Sequence, residues 1–309
     1  MLLAGWTPLF CDVDPATGLV PDHEWQKALE LGVDALLFVH LFGNPADPRG
    51  ILAACQARGV FFLEDACQAL GASVDGRPCG SFGDASVLSF GYTKLIDAGS
   101  GGMLLSDDAA LVAEVAKRAG GRAYLSAQRY QALQSELSRL FYERKEKLAA
   151  GAQTPAAIFA GLIARYGEVV PAPWEADAAL IAARLGSLRQ SVAERLRKAG
   201  LYAKLLAGSG TVSLGMAGDS APWRYCFRVP GIGPARQESI SASLRLQGVH
   251  LSNWYLPTHW MVEQPQLATG ALAGTERLAA EVFQLWLDES TDDARIAANA
   301  AAFLAALAA

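Results

Sequence analysis

Short apolar runs alternate with amphipathic segments in the first third of the chain. The runs are Ala35 to Phe42, Phe61 to Leu63 and Ala85 to Phe90. Near-continuous apolar strands are expected in a parallel sheet that is covered on both faces. Residues 22–31, before the first run, and residues 48–58, between the first and second runs, are predicted to be helices. The pattern therefore predicts a doubly wound α/β sheet.

The next part of the chain is predicted to be mostly helical. Met103 to Leu105 is predicted as a further strand, and Asp107 to Ala119 as the helix after it. Ser126 to Tyr166 is polar and helix-prone, and its charges indicate a solvated face or an insertion beside a cleft. The longest helix is predicted over residues 175–206.

A Gly- and Ser-rich segment, Gly208 to Asp219, is predicted to separate two domains. The division is 1–207 for a large domain and 208–309 for a smaller one. Strands and helices are predicted to alternate in the smaller domain. Its strand, helix and extended segment are Trp223 to Val229, Arg236 to Gly248 and His250 to Pro257, and its last helices are Thr275 to Leu287 and Asp292 to Leu307.

Composition limits the classes of function. The 309 residues are 52% hydrophobic, enough for a large core in two domains. The net charge of −5, without a basic block, argues against nucleic acid as a partner. No apolar run is long enough for a bilayer and the start has no signal-peptide pattern, so we expect a cytoplasmic protein without a membrane partner. Five cysteines fit a reducing compartment, and without a Cys/His cluster we expect no metal.

Two charged residues follow neighbouring predicted strands. Asp65 closes the run that starts at Phe61, and Lys94 follows the turn after Phe90. Ligands collect at the carboxyl ends of strands in open α/β sheets, so both side chains are predicted to face one crevice. This pair suits pyridoxal phosphate (PLP), which needs an amine for a Schiff base and an acid for its pyridine nitrogen. The alternative is a helix-capping Asp and a solvated Lys.

The motifs around these residues resemble those of one enzyme family. The segments are Glu64-Asp65-Ala66-Cys67-Gln68-Ala69-Leu70-Gly71, Gly80-Ser81-Phe82-Gly83-Asp84, Ser89-Phe90, Lys94 and Gly99 to Gly102. Their order, spacing and residue types are similar to those of the DegT/DnrJ/EryC1/StrS aminotransferases. The resemblance implies the PLP-dependent transferase fold type I, in which a mainly parallel sheet lies between helices, with a smaller α+β C-terminal domain.

The resemblance also implies roles for individual residues. Lys94 would form the Schiff base with PLP, and Asp65 would pair with the pyridine nitrogen. Gln68 would contact the ring or its hydroxyl, and Ser89 would bind the phosphate. Some relatives that remove a hydroxyl have His at the lysine position, so Lys94 favours transamination. Cys67 is expected to be a small packing residue rather than a redox centre.

Two segments with histidine are also similar to family segments. Trp254 to His259 resembles a stretch near the mouth of the active site, so Tyr255 and His259 are candidate substrate-binding residues. The alternative is an aromatic strand that packs on a helix. His40 follows a strand as a lone histidine and is expected to be structural.

Two family features are missing. The strand at Thr7 to Asp14 lies well inside the large domain in relatives, after a Ser/Thr-Gly-Thr phosphate loop, so we expect the chain to be N-terminally truncated. Val170 to Trp174 has no Asn where relatives reach the neighbouring subunit's phosphate. Both departures weaken the expected phosphate binding, because phosphates bind backbone N–H groups at helix N-termini.

The resemblance thus predicts a PLP-dependent aminotransferase that moves an amino group from glutamate or glutamine to a keto sugar, with a nucleotide-activated sugar favoured. Such enzymes are usually homodimers, which we also expect here. One alternative is a catalytically silent relative that acts as a binding subunit. The other is an aminotransferase for a keto-cyclitol.

Overall fold

The computed structural model describes residues 2–120, 125–151, 154–159, 161, 178–215, 219–253, 256–262 and 267–309. Strands alternate with helices along this part of the chain. The strands are β1 (Leu9–Phe10), β2 (Ala35–Val39), β3 (Phe61–Asp65), β4 (Ser73–Val74), β5 (Arg77–Pro78), β6 (Ala85–Ser89), β7 (Gly102–Leu105), β8 (Val212–Leu214), β9 (Tyr225–Arg228), β10 (Leu251–Ser252), β11 (Leu267–Ala268) and β12 (Val282–Leu285). The helices are α1 (Asp22–Glu30), α2 (Arg49–Gln56), α3 (Ala109–Gly120), α4 (Ala127–Ala149), α5 (Pro155–Phe159), α6 (Ala178–Gly186), α7 (Leu188–Leu205), α8 (Pro234–Leu246), α9 (Ala273–Glu281) and α10 (Asp293–Ala308).

The first sheet has the strand order β2-β3-β6-β7. β2, β3 and β6 run parallel, whereas β7 pairs with β6 in the antiparallel direction. Phe38 and Phe62 of the sheet pack with Trp25 of α1 and Ile51 of α2. Burial of each such aromatic side chain contributes roughly 1.5–3 kcal/mol. The predicted α/β architecture is confirmed, and it brings the carboxyl ends of β3 and β6 side by side.

The second sheet, in the C-terminal part, has the order β10-β12-β9-β8 and is antiparallel. Its aromatic side chains stack in a row: Tyr225 on Tyr202 of α7, then Phe227 and Phe283. Phe303 of α10 meets two of these rings edge-on. This arrangement of helices against an antiparallel sheet matches the predicted α+β organisation. Among the described helices, none is both long and apolar enough to cross a membrane.

β1 lies apart from the first sheet and pairs in parallel with β11. Just after β1, the Asp12 carboxylate accepts hydrogen bonds from the backbone N–H groups of Gly274 and Thr275, at the start of α9. The Thr275 hydroxyl donates to the same carboxylate. A carboxylate at a helix N-terminus satisfies unpaired N–H groups and opposes the helix dipole. The division into 1–207 and 208–309 stays a prediction, and these contacts cross it.

The structure corrects two predicted helices. Residues 178–205 form two helices, α6 and α7, rather than part of one continuous helix, and the longest described helix is α4, with 23 residues. The break lies at Gly186 and Ser187, where the serine hydroxyl donates to the carbonyl of Arg184. Glycine and a serine that bonds to nearby backbone both favour a helix end.

The predicted helix over 275–287 is also wrong beyond Glu281. Val282 to Leu285 form a strand because they are all buried and pair with β9. Their β-branched and aromatic side chains favour a strand where both faces are covered. Likewise the predicted loop at 208–219 contains β8, an edge strand of the second sheet.

Candidate active site

Asp65 is the last residue of β3, and it aligns with Val39 of β2 and Val87 of β6. Its side chain is half-buried, and its Oδ1 accepts a hydrogen bond of 2.9 Å from the backbone N–H of Cys67. This bond orients the carboxylate at the strand end. The alternative role as a helix cap is not present, because β3 is followed by a turn, which this bond stabilises, and then by β4.

The preceding residue, Glu64, is fully buried and holds the end of β3 in place. Its Oε1 lies 2.7 Å from His40 Nε2, and the Gly80 and Phe82 N–H groups donate to the same carboxylate. Burial works to raise the pKa of Glu64, but these hydrogen bonds outweigh it and hold the pKa below its ordinary value. The sequence did not single out Glu64, although a charged residue inside an apolar strand is a signal that a partner exists.

His40 has both ring nitrogens in use. Nδ1 accepts a hydrogen bond of 3.2 Å from the N–H of Ala46, so Nε2 carries the proton and donates to Glu64. The ring is fully buried against Phe38. The geometry supports the structural interpretation of this histidine.

Gln68 is also nearly buried, with 8% of its surface exposed. Its Oε1 accepts a hydrogen bond of 2.8 Å from the N–H of Phe42. Phe42 has φ of 63°, a left-handed conformation that is unfavourable for a bulky residue. The amide of Gln68 therefore stabilises the strained turn after β2. Its predicted contact with PLP stays a prediction.

Lys94 lies in the turn after β6, and its side chain is half-buried. The ammonium nitrogen is 5.5 Å from the centre of the Trp223 ring. Burial lowers the pKa of Lys94, the charges of Cys67 and Asp65 oppose this, and Arg224 adds to the lowering. Since burial raises the pKa of the Cys67 thiol to about 12, that thiol is neutral near pH 7 and Asp65 is the effective opposing charge. A lowered pKa increases the fraction of neutral amine, the nucleophilic form.

A network of hydrogen bonds sets the turn that carries Lys94. The Ser89 hydroxyl accepts from Gly91 N–H at 3.3 Å, at the start of the turn. Asp97 accepts from Thr93 N–H and Gly99 N–H, each at 2.8 Å. Ser89 thus lies at the start of the lysine turn, and its role toward phosphate stays a prediction.

Two residues near Lys94 were missed by sequence reasoning. The Trp223 indole donates a hydrogen bond of 2.5 Å to the Thr93 carbonyl, and Arg224 donates to the Thr93 hydroxyl at 3.3 Å. The sequence assigned Trp223 only to a strand. The available signal in the sequence was that an aromatic residue, Trp223, stands next to a cationic one, Arg224, at the start of the predicted strand.

Tyr255 and His259 are the two candidate substrate-binding residues. Tyr255 lies outside the described residues. His259 is 7% exposed, and its Nε2 is 3.1 Å from Glu276 Oε1. Its ring meets Phe10 edge-on at 6.1 Å. These contacts tie His259 to β1 and α9, and its substrate role stays a prediction.

The side chains around Lys94 offer the kinds of chemical group that bind PLP. They offer an amine of lowered pKa, a carboxylate at the adjacent strand end and a hydroxyl beside a tight turn. These are the groups that a PLP site requires. In the described part of the chain, no three His, Cys, Asp or Glu side chains are grouped as metal ligands.

Comparison with known proteins shows which sequences are similar. Residues 1–140 match the model of the DegT/DnrJ/EryC1/StrS aminotransferase family. Over 112 residues the chain is 40% identical to UDP-N-acetyl-3-dehydro-alpha-D-glucosamine 3-aminotransferase of Acidithiobacillus ferrooxidans, covering 36% of this chain and 30% of that protein. Over 116 residues it is 34% identical to L-glutamine:2-deoxy-scyllo-inosose aminotransferase of Streptomyces fradiae, covering 37% of this chain and 27% of that protein. The chain therefore spans less than a third of the length of these relatives.

The similarity of structure extends along almost the whole chain. The crystal structure of the aminotransferase TlmJ from Streptoalloteichus hindustanus matches with a TM-score of 0.74 and 25% identity, over 99% of this chain and 75% of TlmJ. The predicted fold type I is confirmed, and the structural neighbours include enzymes solved with PLP or in the PMP form. Residues 1–140 therefore match the model of the DegT/DnrJ/EryC1/StrS aminotransferase family, the family that the motifs from Glu64 to Gly102 resemble.

Proposed function

We propose that the protein is a PLP-dependent aminotransferase that transfers an amino group from glutamate or glutamine to a keto sugar carried on a nucleotide. The observation that carries the proposal is the half-buried Lys94, with a lowered pKa, beside the strand end that bears Asp65. The names of the relatives supply the substrate class, since one acts on a UDP-linked dehydro sugar.

Each residue of the site has a chemical task in this proposal. PLP, when bound, supplies an electron sink for the pair left behind when a proton leaves the substrate carbon. Lys94 would hold PLP through its Nζ, and the same Nζ, when it is free, would move the proton of the substrate carbon as a general base. Asp65 keeps the pyridine nitrogen protonated, because a nearby negative charge favours the charged form.

The remaining residues would bind and orient. Ser89 holds the phosphate and Gln68 contacts the ring or its hydroxyl, while Tyr255 and His259 line the substrate entrance. The proposed enzyme acts in the cytoplasm as a homodimer, with the division into domains at residue 207. The family relationship and the positions of Ser89 and Gln68 next to Lys94 and Asp65 in the motifs support this assignment.

A keto-cyclitol is the second candidate acceptor. The observation that favours it is the 34% identity to the Streptomyces fradiae enzyme, whose name includes a scyllo-inosose acceptor and L-glutamine as the donor. Both candidates place the same chemistry at Lys94, so they differ only in the acceptor.

The test is to trap the cofactor on its lysine. The protein is mixed with PLP, reduced with borohydride and mapped by peptide mass spectrometry, beside Lys94→Ala and a Lys117→Ala control on the exposed face of α3. We expect a visible absorption band and a PLP-modified peptide at Lys94, both lost only in Lys94→Ala. A folded protein with no modified Lys94 would support the silent binding subunit instead. Where Lys94 is modified, glutamate and glutamine are assayed with UDP-linked keto sugars and with a keto-cyclitol.

A further inference from the structure

Arg224 has its guanidinium in an unusual setting close to the lysine turn. It is 8% exposed and lies between two indole rings, at 3.9 Å from the centre of Trp223 and 4.1 Å from that of Trp286. Its Nη1 donates to Ser252 Oγ at 2.5 Å and to Gln284 Oε1 at 3.3 Å. Stacking and a fork of hydrogen bonds fix the plane of the guanidinium, which a lysine side chain cannot reproduce.

The other end of the same guanidinium reaches the residue before Lys94. Nη2 of Arg224 donates to Thr93 Oγ1, and the neighbouring Trp223 indole donates to the Thr93 carbonyl. With Asp97 accepting from the Thr93 N–H, every polar group of Thr93 takes part in a hydrogen bond. The bonds from Arg224 and Trp223 connect two distant parts of the chain, since Arg224 and Thr93 are 131 positions apart in the sequence.

Thr93 needs this support because its backbone is strained. Its φ is 68°, in the left-handed region that a β-branched residue rarely adopts. Such a conformation costs on the order of 1–3 kcal/mol and persists only where surrounding contacts hold it. This φ sets the path of the backbone into Lys94, which is the next residue along the turn.

We propose that Arg224 and Trp223 are positioning residues, which hold Thr93 in its strained conformation and thereby fix the position and reactivity of the Lys94 amine. This inference rests on the proposed role of Lys94. Arg224 acts in two ways, through its hydrogen bond to Thr93 and through its permanent positive charge. A nearby like charge disfavours the ammonium form of lysine, so loss of Arg224 makes the amine of Lys94 harder to deprotonate.

The experiment measures the Lys94 amine directly in the cofactor-free protein. Trace labelling with acetic anhydride from pH 6 to 11 gives a titration of Lys94 by mass spectrometry, with the exposed Lys117 of α3 as an internal reference. In Arg224→Gln we expect the midpoint of Lys94 labelling to rise, because a like charge that disfavours the ammonium form is removed, and the labelling rate near pH 7 to fall at least about twofold. Arg228→Gln, which removes a partly buried arginine at the end of β9 and its ion pair with Glu281, is the matched control and leaves the midpoint unchanged.

Milder variants separate the two effects and guard against loss of folding. Thr93→Val removes only the hydroxyl, and Trp223→Phe only the indole N–H, while both keep Arg224. We expect them to change the maximal labelling rate of Lys94 at least twofold, with a smaller shift of the midpoint than in Arg224→Gln. Arg224→Lys keeps the charge, so its midpoint stays near that of the wild type.

Unchanged labelling of Lys94 in folded Arg224→Gln, or in both milder variants when Arg224→Gln does not fold, would overturn the inference. Because no PLP is present, this result is independent of the trapping test. A shifted midpoint here, together with no PLP trapped on Lys94 in the separate borohydride test, would support the positioning role and refute the aminotransferase proposal.

Discussion

Lys94 and Lys145 are two lysines whose ammonium groups are taken out of water in very different ways. Lys94 is half-buried on a strained turn, where its neighbours of opposite and like charge, Asp65 and Arg224, partly cancel. Lys145 is 6% exposed on the regular helix α4, and its Nζ lies 3.3 Å from Glu238 Oε2. Burial lowers the pKa of both, for Lys145 to about 8, against the opposing charge of Glu238.

The contacts of Lys145 form a closed network between α4 and the C-terminal part. Its Nζ also donates to the Asn253 carbonyl, while Asn253 Nδ2 and Arg245 donate to the two oxygens of Glu238. A lowered pKa is therefore not enough to mark a reactive lysine, because structural ion-pair networks produce the same shift. What distinguishes Lys94 is its place in a turn at the end of the parallel strand β6.

The largest expected difference between the two lysines is in catalysis. Lys94→Ala is expected to lower the rate of amino transfer by at least 100-fold, the smaller end of the range for loss of a general base. Lys145→Ala is expected to leave the rate per folded molecule within about threefold of the wild-type rate. The contacts of Lys145 join α4 to Glu238 and Asn253 in the C-terminal part of the chain. Single-turnover rates, measured on protein whose folded fraction is known by circular dichroism, check this. Equal losses in both variants would remove the distinction.

The second prediction concerns stability. Lys145→Met is expected to lower the free energy of unfolding by about 3 kcal/mol, because Glu238 then stays buried without this cation. Arg245 still pairs with Glu238 and keeps the loss at the lower end of the usual range. Urea unfolding measures it, with the exposed Lys147→Met on the same helix as a control that changes stability by less than about 0.5 kcal/mol. Adding Glu238→Leu to Lys145→Met should recover most of the loss.

The third prediction is a pH dependence with a defined sign. The pKa of Lys145 is about 8 in the folded protein against 10.5 ordinarily, so between these pH values the unfolded chain binds a proton that the folded chain lacks. The free energy of unfolding therefore rises with pH through this group, by roughly 1–3 kcal/mol, and is constant below pH 8. The stability difference between wild type and Lys145→Met should widen from pH 8 to 10. A difference that stays flat would contradict the lowered pKa.

The smallest expected effect is on the free energy of unfolding when a residue next to each lysine is replaced by glycine. Thr93→Gly is expected to change the free energy of unfolding by less than about 0.5 kcal/mol, because relief of the left-handed strain offsets the lost hydrogen bond to Arg224. The same replacement beside Lys145, Glu146→Gly, lies in a regular helix and should cost roughly 0.5–1 kcal/mol. Urea midpoints of the two variants distinguish the strained turn from the relaxed helix. A larger loss in Thr93→Gly would mean that Thr93 carries little strain.

Sequence and structure agree where the signal is local. The apolar run of β3 followed by Asp65, and the run of β6 followed by a turn and Lys94, predicted both the strands and their meeting point. The networks around Trp223 and Lys145 escaped prediction because their partners are distant in sequence: Lys145 and Asn253 are 108 positions apart. No spacing rule connects residues so far apart.

Helix α4 illustrates the same limit at the level of a whole element. Its many charges predicted a solvated face, and the alternative was an insertion beside a cleft. In the structure Leu133, Leu137 and Phe141 bury one side of α4 against Leu256, while Lys145 is enclosed by its network. Only the tertiary partners reveal which charge of a polar helix lies inside.

The pairing of β1 with β11 also has a consequence for how the chain folds during synthesis. Asp12 and its partner Thr275 are 263 residues apart. At about 5–20 residues per second, Asp12 leaves the ribosome roughly 13 to 50 seconds before the helix that it caps exists. During that delay Leu9 and Phe10 lack β11, the strand with which they pair in the folded protein. The earliest strand of the described chain is thus among the last to be completed, and it closes the molecule only when the second sheet is already being made.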